Sequence, residues 1–282
     1  DSAAGAAVVT IGNADTASVT FGGVEFTSSG LQLFTADAYS ITGADSTFAT
    51  SNDNITFTDG GADGGITLAD IANLTLSTEL GGSGGGNIAV NVPIAGTAGD
   101  GDDATDVTMT AGSGTISIED ISTDINDVLL TSTGGISLDG SITTAVDSDE
   151  TGATSGIVTL TGPVTLAGNT TIDTDSTSNN GAVTFTTTVD GEKTLTITSG
   201  SGAVEFGGNI GATTALSDLT VNSSAGTGAI TFSGNVGTST AAGAAAVAIG
   251  NADTASITFG GVEFTSSGSV SYTHLTLPTI NW

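Results

Sequence analysis

The stretches "GAVTFTTTV" (181–189), "GAVEFGGNI" (202–210) and "GAITFSGNV" (228–236) share one pattern. Apolar residues alternate with polar ones, most often Thr, and such alternation over a short run is typical of a half-buried strand. Thr favours the pleated sheet because it is β-branched. Gly, Asn, Asp and Ser fill the intervals, as turns require. We therefore predict short strands joined by turns, with six stacked inward residues: Val183, Phe185, Val204, Phe206, Ile230 and Phe232.

Related stretches begin at Gly134, Gly156 and Ala255, and they give the chain a short period. The aligned apolar positions lie 21 to 27 residues apart and are Ile136, Val158, Val183, Val204, Ile230 and Ile257. A period of this size with a strand at every half-turn favours an all-β fold, a parallel β-helix or β-solenoid, as one elongated domain. The alternative is an array of Ig-like β-sandwiches, which predicts units of about 100 residues with a bulky core. The body of the chain has neither feature.

A second repeat is much longer. Residues 3–30 recur as residues 241–268, and the two copies differ only where Val8, Thr10 and Val19 are replaced by Ala246, Ala248 and Ile257. This near-identity indicates a recently duplicated unit. We assign residues 1–268 to the solenoid. Because Asp1 begins directly in repeat material, we expect the chain to be the middle of a longer protein.

Composition excludes several classes of partner. The 282 residues include 30 acidic and one basic residue, which gives a formal net charge of −29. Nucleic acid is not an expected partner because phosphate contacts need Lys and Arg, and anionic membrane surfaces are disfavoured for the same reason. No run of 18 apolar residues is present, so we expect no membrane insertion. The absence of Cys excludes disulfide and thiolate chemistry.

The region 181–236 resembles the repeat regions of very large bacterial surface proteins of the filamentous-haemagglutinin and autotransporter-adhesin type. The pattern G-A-V-x-F-x-G-x-V followed by T-x-A-L-x-x-L-x-V carries the resemblance, which covers about half of the chain well. The resemblance implies a right-handed β-solenoid that is extracellular or exposed on the cell surface, associated with the outer membrane. It also implies that the solenoid acts as a stalk or an adhesive filament.

The last segment, residues 269–282, departs from the rest. It reads "SVSYTHLTLPTINW" and holds the only His (His274) and the only Trp (Trp282). Val270 to Thr279 resemble one translated frame of a transposon-end sequencing adapter, and the change falls where the two long copies stop agreeing. We therefore interpret residues 269–282 as a non-native tail and exclude His274, Tyr272 and Trp282 from the candidate functional residues.

The residue types present in residues 1–268 argue against an enzyme. Without His, Cys or Arg, residues 1–268 cannot supply a Ser-His-Asp or Cys-His arrangement or a zinc site of those ligands. The one Lys, Lys193 in "VDGEKTL", is expected in a solvated turn. A glycosidase needs only two carboxylates at suitable separation, but no pair stands out. We predict no catalytic, cofactor-binding or metal-binding residue.

Calcium binding remains an alternative, because Ca²⁺ is coordinated by six to eight oxygen ligands and carboxylates can supply them. The candidate oxygen donors are Asp100, Asp102, Asp103, Asp106, Asp147, Asp149 and Glu150. Their spacing, like that of "DGGADGG" (59–65), does not match a known calcium loop. The Gly-rich stretch 81–87 lacks the Lys-Ser/Thr ending of a phosphate loop.

The expected function is structural and adhesive. A rigid rod would hold a distal site away from the cell and contact a host-cell, surface or polysaccharide ligand, and open strand edges would allow end-to-end self-association. The alternatives are a calcium-binding stalk, a β-helix enzyme acting on polysaccharide, and an ice-binding protein. The last rests on the alternating Thr residues of 184–188 and 194–198, although the irregular length of the repeats argues against a flat array.

Overall fold

A computed structural model describes residues 7–61, 64–80, 82, 84–97, 105–144, 156–176, 180–261 and 263–273. Within these residues the regular secondary structure is entirely β. Its strands form three sheets, A, B and C, and every pair of named strands is parallel. The chain is therefore a parallel β-solenoid, as the alternation predicts.

Sheet A contains eight strands. They are β1 (Val9–Gly12), β4 (Gln32–Ala36), β7 (Ile55–Asp59), β10 (Ile88–Asn91), β13 (Ile116–Ile118), β16 (Ile136–Leu138), β19 (Val164–Leu166) and β22 (Val189–Asp190). Sheet B contains eleven. They are β2 (Val19–Phe21), β5 (Tyr39–Ile41), β8 (Ile66–Leu68), β11 (Ile94–Gly96), β14 (Ile121–Ser122), β17 (Ile142–Thr143), β20 (Thr170–Asp173), β23 (Thr194–Thr198), β25 (Leu216–Val221), β27 (Ala244–Ile249) and β29 (Val270–Tyr272).

Sheet C contains ten strands. They are β3 (Glu25–Ser28), β6 (Asp45–Thr50), β9 (Asn73–Ser77), β12 (Val107–Gly112), β15 (Val128–Ser132), β18 (Val158–Thr161), β21 (Val183–Phe185), β24 (Val204–Phe206), β26 (Ile230–Phe232) and β28 (Ile257–Phe259). The chain visits A, B and C in turn, so each turn holds three strands and the predicted strand at every half-turn is wrong. After β22, sheet A continues only as single-residue bridges through Ile210, Val236 and Phe264, which are too short to show alternation.

Apolar side chains stack in columns inside the three sheets. In sheet C, Val158, Val183, Val204, Ile230 and Ile257 are register partners in succession, as predicted. Ile136 does not belong to this column. It pairs with Val164 in sheet A, and Val128 precedes Val158 in sheet C. The alignment failed at Ile136 because strands of all three sheets carry the same alternation.

The core is narrow and continuous. The six predicted inward residues are at most 1% exposed, and the rings of Phe185, Phe206 and Phe232 stack with centroids 5.0 and 4.9 Å apart. Burial of each such side chain contributes about 1.5–3 kcal/mol. Packing between successive turns therefore supplies most of the stabilisation, as in other repeat folds.

Polar side chains stack in the turns. The Oδ1 atom of Asn54 accepts a hydrogen bond from the backbone N–H of Asn87 at 2.8 Å, and that of Asn87 accepts one from Thr115 at 2.9 Å. Buried hydroxyls close the corners, as where Ser132 donates to the carbonyl of Gly114 at 2.5 Å. Each turn thereby satisfies backbone groups of the next turn.

The two copies of the long repeat lie in different sheets. Segment 3–30 places its strands in A, B and C, whereas segment 241–268 places the equivalent residues in B, C and A. β1 is the first strand of sheet A and β27 is the tenth of sheet B, so the offset from residue 3 to residue 241 spans nine turns and a third. One sequence is thus compatible with more than one sheet.

Candidate functional site

The single lysine lies in a turn, as predicted. Lys193 precedes β23 and is half-buried, and its backbone carbonyl accepts a hydrogen bond from the N–H of Ser217 at 3.0 Å. Asp190 lies in the preceding strand, where its Oδ1 accepts hydrogen bonds from the backbone N–H groups of Thr213 and Thr214 at 2.8 and 2.9 Å. The Asp190 carboxylate therefore supports the following turn.

Most of the candidate calcium ligands lie outside the described residues, namely Asp100, Asp102, Asp103, Asp147, Asp149 and Glu150. Asp106 is described and has a structural role. Its Oδ1 accepts hydrogen bonds from the side-chain amide of Asn126 at 3.0 Å and from the N–H of Asp127 at 3.1 Å. Over the ranges that the structure covers, no group of three or more His, Cys, Asp or Glu residues could hold a metal ion.

A shallow acidic groove follows the turns from sheet A to sheet B. It has a volume of about 250 Å³, and Asp59, Asn91, Pro93 and Glu119 line it together with Gly64 and Val92. Partial burial raises the pKa of Glu119 above its usual range, and the negative charges of Asp139, Asp120 and Asp59 raise it further. Asp59 is the last residue of β7, Glu119 and Asp120 follow β13, and Asp139 follows β16. These carboxylates therefore lie on three turns of the solenoid, and the turn of Asn91 separates Asp59 from Glu119. The groove can attract cations.

The two Gly-rich stretches lie in turns. Gly64 and Gly65 precede β8, and Gly84 to Gly86 precede β10, with Gly85 at a φ of 147°. A phosphate loop is followed by a helix, whereas the strand β10 follows residues 84–86.

The outer face of sheet C carries an ordered array of Thr. Thr108 and Thr110 are flanked on one side by Thr75 and Ser77 and on the other by Leu129 and Thr131. The array continues through Thr159 and Thr161 to Thr184. The irregular repeat length does not disturb it, because the turns absorb the extra residues. Thr194, Thr196 and Thr198 also alternate outward, but they belong to sheet B.

Sequence reasoning missed a polar residue inside the solenoid. Gln32 is fully buried, and its side-chain amide donates to the carbonyls of Phe26 and Ala49 at 3.0 and 2.9 Å and to the hydroxyl of Ser28 at 3.2 Å. Alternation in "LQLFTA" favours Leu33 as the inward residue at this point. Phe34 lies two positions after Gln32 in the same strand, so the two side chains must face the same side. The large apolar side chain of Phe34 was therefore the signal in the sequence that Gln32 faces inward.

The start of segment 269–282 continues the solenoid. Val270 and Tyr272 pair with Val247 and Ile249, in the same way that Gln32 and Phe34 pair with Val9 and Ile11. Tyr272 remains 53% exposed. His274 and Trp282 lie outside the described residues.

Comparison with protein-family models, with curated proteins and with solved structures finds no match for this chain. The described residues contain no helix long and apolar enough to cross a membrane.

Proposed function

We propose that the chain is a structural and adhesive segment of a large secreted or cell-surface repeat protein, in which it acts as a rigid stalk or filament. The observation that supports this function best is the continuity of sheet C. Its ten strands pair in succession, and one apolar column of register partners runs through all of them from Phe26 to Phe259. Such a column transmits load from one turn to the next without a hinge.

Rigidity follows from contacts on three sides. Hydrogen bonds run between turns in sheets A, B and C, and the stacked Phe185, Phe206 and Phe232 fill the interior between them. Bending the solenoid would open one sheet and would separate stacked side chains. Because each turn contacts mainly its neighbours, this resistance is repeated from turn to turn, and after β22 it comes mainly from sheets B and C.

Axial pulling tests the stalk function. Handles attached through Asp15→Cys and Asp253→Cys, both exposed, would load the solenoid from end to end in a chain that has no other cysteine. We expect stepwise unfolding, with increments of roughly 80 Å for each turn of about 25 residues, because an extended residue spans about 3.3–3.6 Å. Smooth extension without force steps would contradict a load-bearing role.

An adhesive role requires a ligand on the outer faces. The Thr and Ser of these faces suit neutral polysaccharide, since a net charge of −29 repels anionic surfaces. Binding to a panel of immobilised polysaccharides, with the released products analysed in the same wells, distinguishes the outcomes. Retention without cleavage supports adhesion, whereas turnover would replace it with an enzymatic function.

The regular Thr array of sheet C favours ice binding as a second candidate function. Between Thr47 and Thr184 the two outward columns of the array carry no charged residue, although the chain is strongly acidic. Thr159→Lys should abolish any inhibition of ice recrystallisation, and Thr196→Lys on sheet B should leave it unchanged. No inhibition by the wild-type chain would remove this candidate.

Calcium binding would make the stalk sensitive to chelators. If the acidic sequence segments around Asp102 and Asp149 bind calcium specifically, chelation should lower the Tm, and the addition of Ca²⁺ but not Na⁺ at equal ionic strength should restore it. Under the stalk function proposed here, we expect the same Tm with chelator and with Ca²⁺ once ionic strength is matched.

A further inference from the structure

Two exposed apolar side chains interrupt the polar outer face of sheet C. Leu129 on β15 is 40% exposed, and Ile157, immediately before β18, is 38% exposed. The other exposed large apolar side chains of the described residues lie at the first or last turn or between strands, namely Val8, Ile71, Phe259, Val270 and Tyr272. Single exposed apolar residues are common on protein surfaces, so the position of these two relative to each other decides whether they matter.

Leu129 and Ile157 are neighbours on this face. Leu129 is the register partner of Thr159, and Ile157 lies two residues before Thr159 and therefore on the same side of the sheet. The spacings within a sheet place their Cα atoms about 8 Å apart, within reach of long side chains. The N–H of Ile157 donates to Oδ1 of Asp127 at 3.0 Å, and its carbonyl accepts from the N–H of Val128 at 2.9 Å. The backbone thus holds the two side chains together as one apolar patch.

Neighbouring turns place polar or small residues at both positions of the patch. The preceding register partner of Leu129 is Thr108. Asp127 and Ala182 stand immediately before β15 and β21, as Ile157 stands before β18. The strands of sheet C therefore do not need an apolar side chain at either position, and the patch is a local departure from the repeated pattern.

Threonine hydroxyls surround the patch. Thr108, Thr110, Thr131, Thr159 and Thr161 lie on the same outer face and are partly exposed. None of these five hydroxyls makes a hydrogen bond to a described residue, so they are available to a ligand. Each Thr is β-branched and has few rotamers to lose when a ligand orders its side chain.

The face around the patch is also uncharged. In the outward column of Leu129 the nearest carboxylate on one side is Glu205, three turns away or about 14 Å, and on the other side it is Glu25, four turns away. At the edge of the face, Oδ1 of Asp127 accepts hydrogen bonds from the N–H groups of Gly156 and Ile157, each at 3.0 Å. In a chain with a net charge of −29, such a face favours an uncharged ligand.

A pyranose ring offers surfaces that match this face. Its two sides consist of C–H groups, and hydroxyl groups project around its edge. A ring lying on Leu129 and Ile157 would remove both side chains from water and place its hydroxyls among those of the threonines, which can donate and accept hydrogen bonds. We propose that the apolar patch and the threonines around it are a binding site for neutral polysaccharide. The proposal rests on the adhesive part of the proposed function and deepens it by naming the face and the class of ligand.

Ice makes a different demand on the same face. An ordered lattice of water matches a regular array of side chains, and Leu129 interrupts the column of threonines between Thr108 and Thr159. Leu129→Thr completes that column and removes half of the apolar patch. The substitution therefore should weaken the binding of polysaccharide, whereas it should not weaken the binding of ice.

Retention on immobilised cellulose, chitin and mannan tests the patch. On any of them that retains the wild-type chain, Leu129→Thr and Ile157→Thr should each weaken the affinity about fivefold or more, because each removes apolar surface that the ring covers. Ile71→Thr removes a similarly exposed side chain from a turn outside the face and should change the affinity less than about twofold. Alginate, which is anionic, should not retain the chain. Thermal melting followed by circular dichroism checks that the variants fold.

A second pair of variants tests the hydroxyls. Thr131→Val keeps the shape of the side chain, removes its hydroxyl group and should weaken retention on the same polysaccharide. Thr171→Val makes the same change on the outer face of sheet B and should leave retention unchanged. Equal retention of both variants would contradict hydrogen bonding of the ligand to the threonines of sheet C.

Three further results would overturn the proposal. Equal retention of wild type and Leu129→Thr would show that adhesion uses another face, and the adhesive function itself would stand. Retention on none of the three neutral polysaccharides would remove the adhesive function together with this site, while axial pulling still decides the stalk function. Stronger inhibition of ice recrystallisation by Leu129→Thr, with unchanged retention on polysaccharide, would assign the face to ice.

Discussion

At the residue scale, Phe206 illustrates how closely the core depends on apolar side chains. Its ring lies between those of Phe185 and Phe232 with interplanar angles of 8° and 9°. Phe206→Asp would place a carboxylate where no partner is available, and we expect a loss of several kcal/mol in the free energy of unfolding. Urea denaturation measures it. Phe206→Leu, which keeps the site apolar, should cost less, and an unchanged Tm for the Asp variant would count against the stacked core.

Glu119 makes stability depend on pH. Its folded-state pKa is raised by burial and by Asp139, Asp120 and Asp59, so the native state binds the proton more tightly than the unfolded state does. The stabilisation by the protonated Glu119 side chain is fully present below the unfolded pKa of about 4.5 and is lost as the pH rises through the folded-state pKa. Glu119→Gln should therefore be more stable than wild type at pH 7, with the difference shrinking toward pH 4.

Thermal unfolding of both proteins between pH 4 and pH 7 measures this difference. Glu205→Gln removes one charge from the outer face of sheet C and is the control for the loss of charge alone. A Glu119→Gln variant that differs from wild type by the same amount at every pH would contradict the assignment to Glu119.

At the scale of the elements, the turns limit which residues are tolerated. Gly162, at the end of β18, has a φ of 135°, and a Cβ there would lie 1.7 Å from the carbonyl oxygen of Ser132 in the previous turn. Gly61 has a similar φ of 130° with no atom within 4 Å of such a Cβ. Both Gly→Ala changes strain the backbone, but only Gly162→Ala also forces two turns apart.

We expect Gly162→Ala to lower the free energy of unfolding by at least about 2 kcal/mol more than Gly61→Ala does. Chemical denaturation of the two variants gives the comparison directly, since their backbone strain is similar. Equal losses would mean that the turns around Ser132 and Gly162 can separate at little cost.

The elements also show the limit of pattern reading. Alternation identified the strands at Val183, Val204 and Ile230, all of which are confirmed. It assigned Ile136 to the wrong column because the strands of sheets A and C carry the same alternation of apolar and polar residues. Only the pairing of Ile136 with Val164, and of Val128 with Val158, separates the two sheets.

At the scale of the whole molecule, charge opposes compactness. The 30 acidic residues repel one another across turns that are only about 4.8 Å apart. We expect the Tm to rise between 10 mM and 500 mM NaCl, because salt screens this repulsion. Differential scanning calorimetry measures the rise, with sucrose at equal osmolality as the control. A Tm that falls with NaCl would show that attractive charge pairs dominate instead.

The sequence by itself determined the local structure of this protein. Strand positions and the inward residues within most strands follow from alternation with a period of two, which is a property of neighbouring residues, and the parallel stacking follows from the repeat of 21 to 27 residues. The tertiary structure alone decided that three strands make a turn, that Gln32 lies inside, and that Asp59, Glu119 and Asp139 share one edge. It also decided the shift by a third of a turn between residues 3–30 and 241–268. These features depend on the length of chain in every intervening turn, and side-chain alternation carries no record of that length.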